Sequence, residues 1–138
     1  MLRAGTILVN HDGSRFSEEL SRPELDIPHQ AAREAFLVFD ATVASKFQAW
    51  PNFVSTAPGI AYAYLDDYKR TRPDLYHEAP TIEALSTSLG VPAATLEATI
   101  DSYNQGLSAA GSTDRQKIMR APYYALGPVQ SWIVFTEG

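Results

Sequence analysis

Cysteine is absent from the 138 residues, which excludes disulfide frameworks, thiolate nucleophiles and zinc sites built on sulfur. The absence leaves the redox compartment open. Histidine is scarce: His11, His29 and His77 stand far apart in sequence and no two have metal-ligand spacing, so no metal site is legible. Basic residues are few and scattered, 11 against 16 acidic for a net charge of -5, and without a basic stripe nucleic acid is not expected as a partner. Long apolar runs are missing as well. Residues 49–65 carry no charge but are interrupted by Pro51, Asn52, Pro58 and Gly59, so no membrane-spanning helix is expected. No apolar run of signal-peptide length follows Met1, and a cytoplasmic protein is expected. Neither a GxGxxG turn nor a GxxxxGK[ST] loop is present, so the chain has no visible nucleotide cradle. A GxSxG elbow is missing too, which leaves a small hydrolase without its nucleophile.

What is present belongs to one ordinary globular domain. The composition is 45% hydrophobic and 20% charged, and a chain of this length buries enough surface to fold without a staple. Residues 6–10 form a β-branched apolar run that meets a turn set, His11, Asp12, Gly13 and Ser14, after which Arg15 and Phe16 begin a return strand. Pro23 and Pro28 hold the residues before them out of helical geometry, and 30–34 reads as a short helix. The continuous apolar run 35–40 has the pattern of a strand covered on both faces.

Residues 42–50 read as a helix stopped by Pro51, with a weaker helix over 60–69. Thr81 can cap a helix over 82–89, where Glu83 suits the positive end of the dipole and Gly90 the left-handed C-terminal cap. Pro92 suits the first turn of the next helix. Leu96, Ile100, Tyr103 and Leu107 then recur as one amphipathic stripe that Gly106 and Gly111 bring to an end. Residues 112–120 read as a polar loop, and 121–126 and 131–136 as two strands joined across Gly127 and Pro128. Strands at both ends flank helices in the middle. The expected fold class is α+β, a small mixed or antiparallel sheet that brings the N- and C-terminal strands together against helices.

Several ordered blocks carry a family resemblance. Residues 5–19 follow the pattern GxILVNxxGxRFxxE, with Gly5, Asn10, Gly13, Arg15, Phe16 and Glu19 in place. Thr81 to Leu85, the Leu89-Gly90-Val91 triplet, Leu96 to Ile100 with Tyr103-Asn104, and Pro122-Tyr123-Tyr124-Ala125 follow in order. Thr136 and Gly138 match a T-x-G-G turn cut off after its first glycine. These blocks resemble the capping domain of flavoproteins of the fumarate reductase and 3-ketosteroid dehydrogenase superfamily. The resemblance implies that residues 1–138 are one cap excised from a larger FAD-binding oxidoreductase, incomplete as an enzyme alone. Its partners would be the missing FAD-binding domain of the same protein and a small-molecule substrate, with a homo-oligomer left open. The implied chemistry is hydride transfer at flavin N5 paired with proton transfer from a cap residue.

The resemblance also nominates residues. Soluble fumarate reductases place a proton-donating arginine shortly after the RFxNE segment, and Arg22 is the basic residue nearest that place, at slightly shorter spacing; the milder role is a substrate-carboxylate clamp. Its bland alternative is a surface pair with Glu19 or Glu24. Glu19 and His29 would lie near the substrate, although Arg15 and Glu19 also read as a structural pair that fixes the hairpin. Phe135 would lie near it too, and stands where fumarate reductases show histidine, which counts against fumarate itself. Ketosteroid dehydrogenases offer a tyrosine in the matching loop, and 17–30 contains none. Thr136 and Gly138 are the implied flavin contacts. The rival reading is a free-standing binding or regulatory module with the cap fold and no flavin. Because the pyrophosphate-binding helix end lies outside these residues, the purified chain is expected to fold and to carry no FAD. A stoichiometric yellow flavin absorbance in its visible spectrum would contradict this.

Overall fold

A strand whose side chains are apolar on both sides needs cover on both sides, and the fold is built around such a strand. In the computed structural model, which describes residues 1–49, 51–57, 60–111 and 115–130 and only the backbone over 55–57 and 60–62, β2 (Ala35–Asp40) is central. It pairs antiparallel with β1 (Ile7–Val9) on one side and β6 (Tyr123–Val129) on the other, and β5 (Tyr76–Ala79) completes a four-stranded sheet of order β1-β2-β6-β5. The α+β class is observed. The register sets Val38 opposite Ile7 and Ala125, so alternate residues of three strands share a face.

Ile7, Val9, Phe36, Val38 and Ala125 pack with Leu85 and Leu89 of α3 (Ile82–Leu89) and with Leu96, Ile100 and Tyr103 of α4 (Ala93–Ala110). On the other face Phe39 and Leu126 meet Val43 and Ala44 of α1 (Ala41–Lys46) and Leu65 of α2 (Leu65–Thr71). Leu8 and Ala35 meet Ile27 there. The sheet is thus the middle of three layers, and the stripe on α4 is core. α3 has the expected ends: the Thr81 hydroxyl accepts the Ala84 N–H at 3.0 Å and Gly90 is left-handed at φ 72.

Several expectations need correction. The return strand at Arg15 is a single bridge to Val9, because Arg15 is drawn to Glu19 instead of continuing along the sheet edge. Residues 60–69 are not one helix: β4 (Ile60–Ala63) pairs with β3 (Ser55–Ala57), and α2 starts only after Tyr64, whose N–H donates to Asp67 at 2.8 Å. β5 escapes the alternation rule since Tyr76, His77 and Glu78 form a polar edge strand. α1 ends at Lys46, well short of Pro51. The 30–34 helix is a 3-10 turn, Ala31–Arg33. α4 starts after Pro92 and runs through Gly106 to Ala110.

Gly127 and Pro128 do not form a turn but continue β6. β5 stops opposite Leu126, so Pro128 lies past the ladder on that side and its missing N–H costs nothing there. Gly127 lies against β2 so tightly that a Cβ would sit 2.7 Å from the Phe36 ring. The expected strand at 131–136 lies outside the described residues, as do Phe135, Thr136 and Gly138. No helix among the described residues is long and apolar enough to cross a membrane. Leu96→Ala, in the fully buried layer, is expected to cost about 2–5 kcal/mol in denaturant unfolding, whereas Leu20→Ala, at an exposed position, should change stability by less than about 0.5 kcal/mol.

Candidate functional site

The turn after β1 is tied by one side chain. Asn10 Oδ1 accepts the N–H groups of Asp12 and Ser14 at 3.0 and 3.1 Å, and its amide reaches Gln30 at 3.1 Å. The chain leaving this turn places Arg15, and then Glu19, beside Tyr103 of α4. The Glu19 carboxylate is fully buried; it accepts the Leu8 N–H at 3.1 Å and a two-pronged contact from Arg15, whose Nε lies 2.8 Å from Oε2. A second arginine approaches from the far end of the chain. Arg115, with only 7% of its side chain exposed, donates to Glu19 at 3.2 Å, to the Thr6 carbonyl at 2.8 Å and to the Leu2 carbonyl at 3.2 Å.

Both guanidinium groups also lie over the Tyr103 ring, 5.3 and 5.0 Å from its centre. Exposed Glu18 balances the charge, 3.7 Å from Arg15 and 3.8 Å from Arg115. Burial opposes ionisation of Glu19, but the hydrogen bonds from Arg15 and Leu8 outweigh it and hold the carboxyl below its ordinary value. Burial pushes the Tyr103 hydroxyl up, so it stays protonated and donates to the Gln116 carbonyl at 2.9 Å.

Beyond Glu19 the backbone turns outward. Ser21 N–H donates to the Glu18 carbonyl at 2.9 Å, and the next 3-10 turn, Pro23–Leu25, begins with the Leu25 N–H donating to the Arg22 carbonyl at 3.2 Å. Between the two turns Arg22 is left-handed, φ 53 and ψ 56, a conformation that a side chain with Cβ rarely takes and that is enriched at functional sites. Its side chain is 75% exposed, 3.3 Å from Glu24, flanked by exposed Leu20 and Leu25. The carboxylate beside Arg22 is therefore Glu24, while Glu19 faces inward. Ser17 donates to Asp26 at 2.7 Å and Ile27 is buried, which anchors the far side of the loop. His29 is exposed at the end of the turn Ile27–His29, on the same loop as Arg22.

Arg115 has no counterpart among the expected site residues. Its stretch reads as a polar loop, and nothing local in it marks one side chain for burial against Glu19, 96 positions away. Other side chains pin the same stretch: Asn104 exchanges two hydrogen bonds with Ile118 at 2.8 and 3.0 Å, and Asp40 accepts the N–H groups of Met119 and Arg120 at 2.9 and 2.8 Å. Gln116 donates to the Ala4 carbonyl at 2.9 Å. Gly5 is required there, since its φ is 130 and a Cβ would lie 2.5 Å from the Gln116 carbonyl oxygen. Between this stretch and α4 opens a cleft of about 470 Å³, lined by Asp40, Leu107, Arg115, Lys117 and Arg120. Among the described residues no group of three or more His, Asp or Glu could hold a metal ion.

This arrangement of strands and helices is found inside much longer chains. A flavocytochrome c3 fumarate reductase in its open conformation matches with a TM-score of 0.68 at 24% identity, over 91% of this chain and 21% of that one. The folds are the same. The 3-ketosteroid Δ1-dehydrogenase from Sterolibacterium denitrificans, solved with 1,4-androstadiene-3,17-dione, matches with a TM-score of 0.62 at 22% identity, over 89% of this chain and 26% of that one. A fumarate reductase flavoprotein subunit from Lactobacillus plantarum, solved by NMR in solution, matches with a TM-score of 0.60 at 17% identity over 99% of this chain and 89% of that one. The chain thus spans about a fifth to a quarter of the first two and most of the third. No family model matches the sequence, and no curated protein does. The resemblance read from the sequence motifs holds at the level of fold.

The buried carboxylate makes a prediction about acid. A group whose folded pKa is depressed contributes stability that is fully present above its unfolded value, here the ordinary 4.5, and lost as pH falls through the lower folded value. Stability measured by denaturant unfolding is therefore expected to fall as pH drops below about 4.5. Glu19→Gln should cost about 3–5 kcal/mol at neutral pH, because two arginines lose their buried partner, and should flatten that acid dependence. An unchanged acid profile in the variant would remove Glu19 as its source.

Proposed function

We propose that this chain is the substrate-capping part of an FAD-dependent oxidoreductase of the fumarate reductase or dehydrogenase type, with residues 1–138 as the cap and a further domain holding the flavin. The observation that carries the reading is the fold match, nearly complete for this chain and partial for chains whose names state flavocytochrome fumarate reductase and ketosteroid dehydrogenase. The described residues offer no nucleotide cradle. The first turn of α3 is closed by the Thr81 hydroxyl, and α4 follows Pro92 with no glycine-rich loop before it. Holding FAD therefore falls to the other domain, and Thr136 and Gly138 are the residues through which this chain would meet it. Bound there, FAD would supply hydride exchange at N5 with an activated carbon of the substrate.

The contribution of this chain is Arg22. Its guanidinium stands in the open on a loop anchored by buried residues on both sides, Glu19 before it and Ile27 after it. Five N–H donors in a planar fork suit a bidentate grip on a carboxylate or a polarised carbonyl oxygen. An arginine guanidinium holds its proton tightly, so proton delivery by Arg22 needs a relay, and Glu24 at 3.3 Å is the carboxylate beside it. Exposed Leu20 and Leu25 border the arginine, which suits a surface covered by the flavin domain and substrate. His29, on the same loop, and Phe135 would complete the substrate side.

In the enzyme carrying this cap together with its flavin domain, Arg22→Lys is expected to lower turnover on the order of a hundredfold or more. Because the side chain is exposed, the unfolding midpoint should barely move. Near-normal turnover in steady-state kinetics would return Arg22 to a surface pair with Glu24 and move the search to His29.

A further inference from the structure

Arg22 is exposed and left-handed, and its own side chain has little packing to hold it in that conformation. The restraint comes from below. Three residues earlier, Glu19 is locked by the Leu8 amide from the entry strand, by Arg15 from its own loop and by Arg115 from the other end of the chain. Of these partners Arg115 is the one that ties the loop to a separate part of the fold. Its fork reaches the Thr6 and Leu2 carbonyls as well as Glu19, and its stretch is itself fastened to Ala4, Asn104 and Asp40. From these contacts we infer that Arg115 is a positioning residue: acting through Glu19, it fixes the 18–21 turn and so sets the direction in which the Arg22 guanidinium points. The inference rests on the proposed substrate role of Arg22 but concerns a residue that touches neither substrate nor flavin.

The geometry says what each change would do. Lysine at 115 keeps the positive charge but has no planar fork, so it cannot serve Glu19, Thr6 and Leu2 together. Aspartate at 19 keeps the negative charge but is one methylene shorter, so it cannot span the Leu8 amide and both arginines. Each variant leaves Arg22 itself intact.

The test combines a signal from the chain itself with kinetics of the flavin-loaded enzyme. The Nε–H resonance of Arg22, assigned by its loss in Arg22→Lys, would be recorded in 15N-labelled chain for the parent, for Arg115→Lys and for Glu19→Asp. Thr81→Ala serves as a destabilised control away from the loop, since it loses only the N-terminal cap of α3. Both loop variants are expected to shift or broaden the Arg22 resonance and to lower kcat about tenfold, with KM changed less than about threefold, at temperatures well below unfolding. Thr81→Ala is expected to leave both readouts at parent values. The inference is overturned if Arg115→Lys and Glu19→Asp behave as Thr81→Ala does, losing stability while the resonance and kcat stay put. Should Arg115→Lys fail to fold, Glu19→Asp decides by the same two readouts. Failure of the underlying reading looks different: Arg22→Lys would keep normal turnover, whatever the resonance does.

Discussion

The Glu19 carboxylate, shut away from solvent between Arg15 and Arg115, is the contact on which the described structure most depends. One carboxylate with two cations would be a poor exchange for water if it were isolated, because each buried charge carries a desolvation cost of several kcal/mol. Here the cost is met by full hydrogen bonding. Glu19 takes the Leu8 amide and both guanidinium groups, Arg115 has the Leu2 and Thr6 carbonyls, and Tyr103 offers its ring to both cations. The result joins four parts of the chain that no single hydrophobic contact unites: the entry to β1, the loop after it, the face of α4 and the stretch after residue 114.

A second buried carboxylate works differently. Asp40, at the end of the central strand, accepts four backbone N–H groups, from Thr42 and Val43 at the start of α1 and from Met119 and Arg120. Among the described residues these are backbone amides, so the site reads as a cap and a splice and not as a catalytic acid. Together Glu19 and Asp40 explain how residues 115–120, with no regular secondary structure, are held firmly enough to position β6. On the outward surface of the 18–25 loop stand Arg22, Leu20 and Leu25, together with Glu18, which pairs with Arg15 and Arg115.

Charge thus serves the architecture inside, while Arg22, paired with Glu24, stands at the surface. The fold recurs within proteins four to five times as long as this chain's share of them, and of the residues that the sequence resemblance nominates the exposed loop carries Arg22 and His29, while Glu19 is buried. Glu19 and Arg22, three positions apart, divide in the same way: one holds the loop from inside and the other is exposed beside Glu24.

Much of this was legible in the residues alone, because it depends on local or periodic signals. The doubly apolar run of β2, the Thr81 and Gly90 caps of α3 and the stripe on α4 follow from side-chain period and backbone chemistry. The Arg15–Glu19 pair is four residues apart and could be read as local. Tertiary structure decided what lies across distance. β5 becomes a strand because β6 offers it an edge, despite its polar residues. Residues 60–63 pair with 55–57 instead of joining α2. Arg115 is buried because Glu19, 96 positions away in the chain, leaves room and charge for a second arginine. Periodicity reports which face of an element is apolar; it carries no information about which distant charge will meet which, since that depends on how the layers stack.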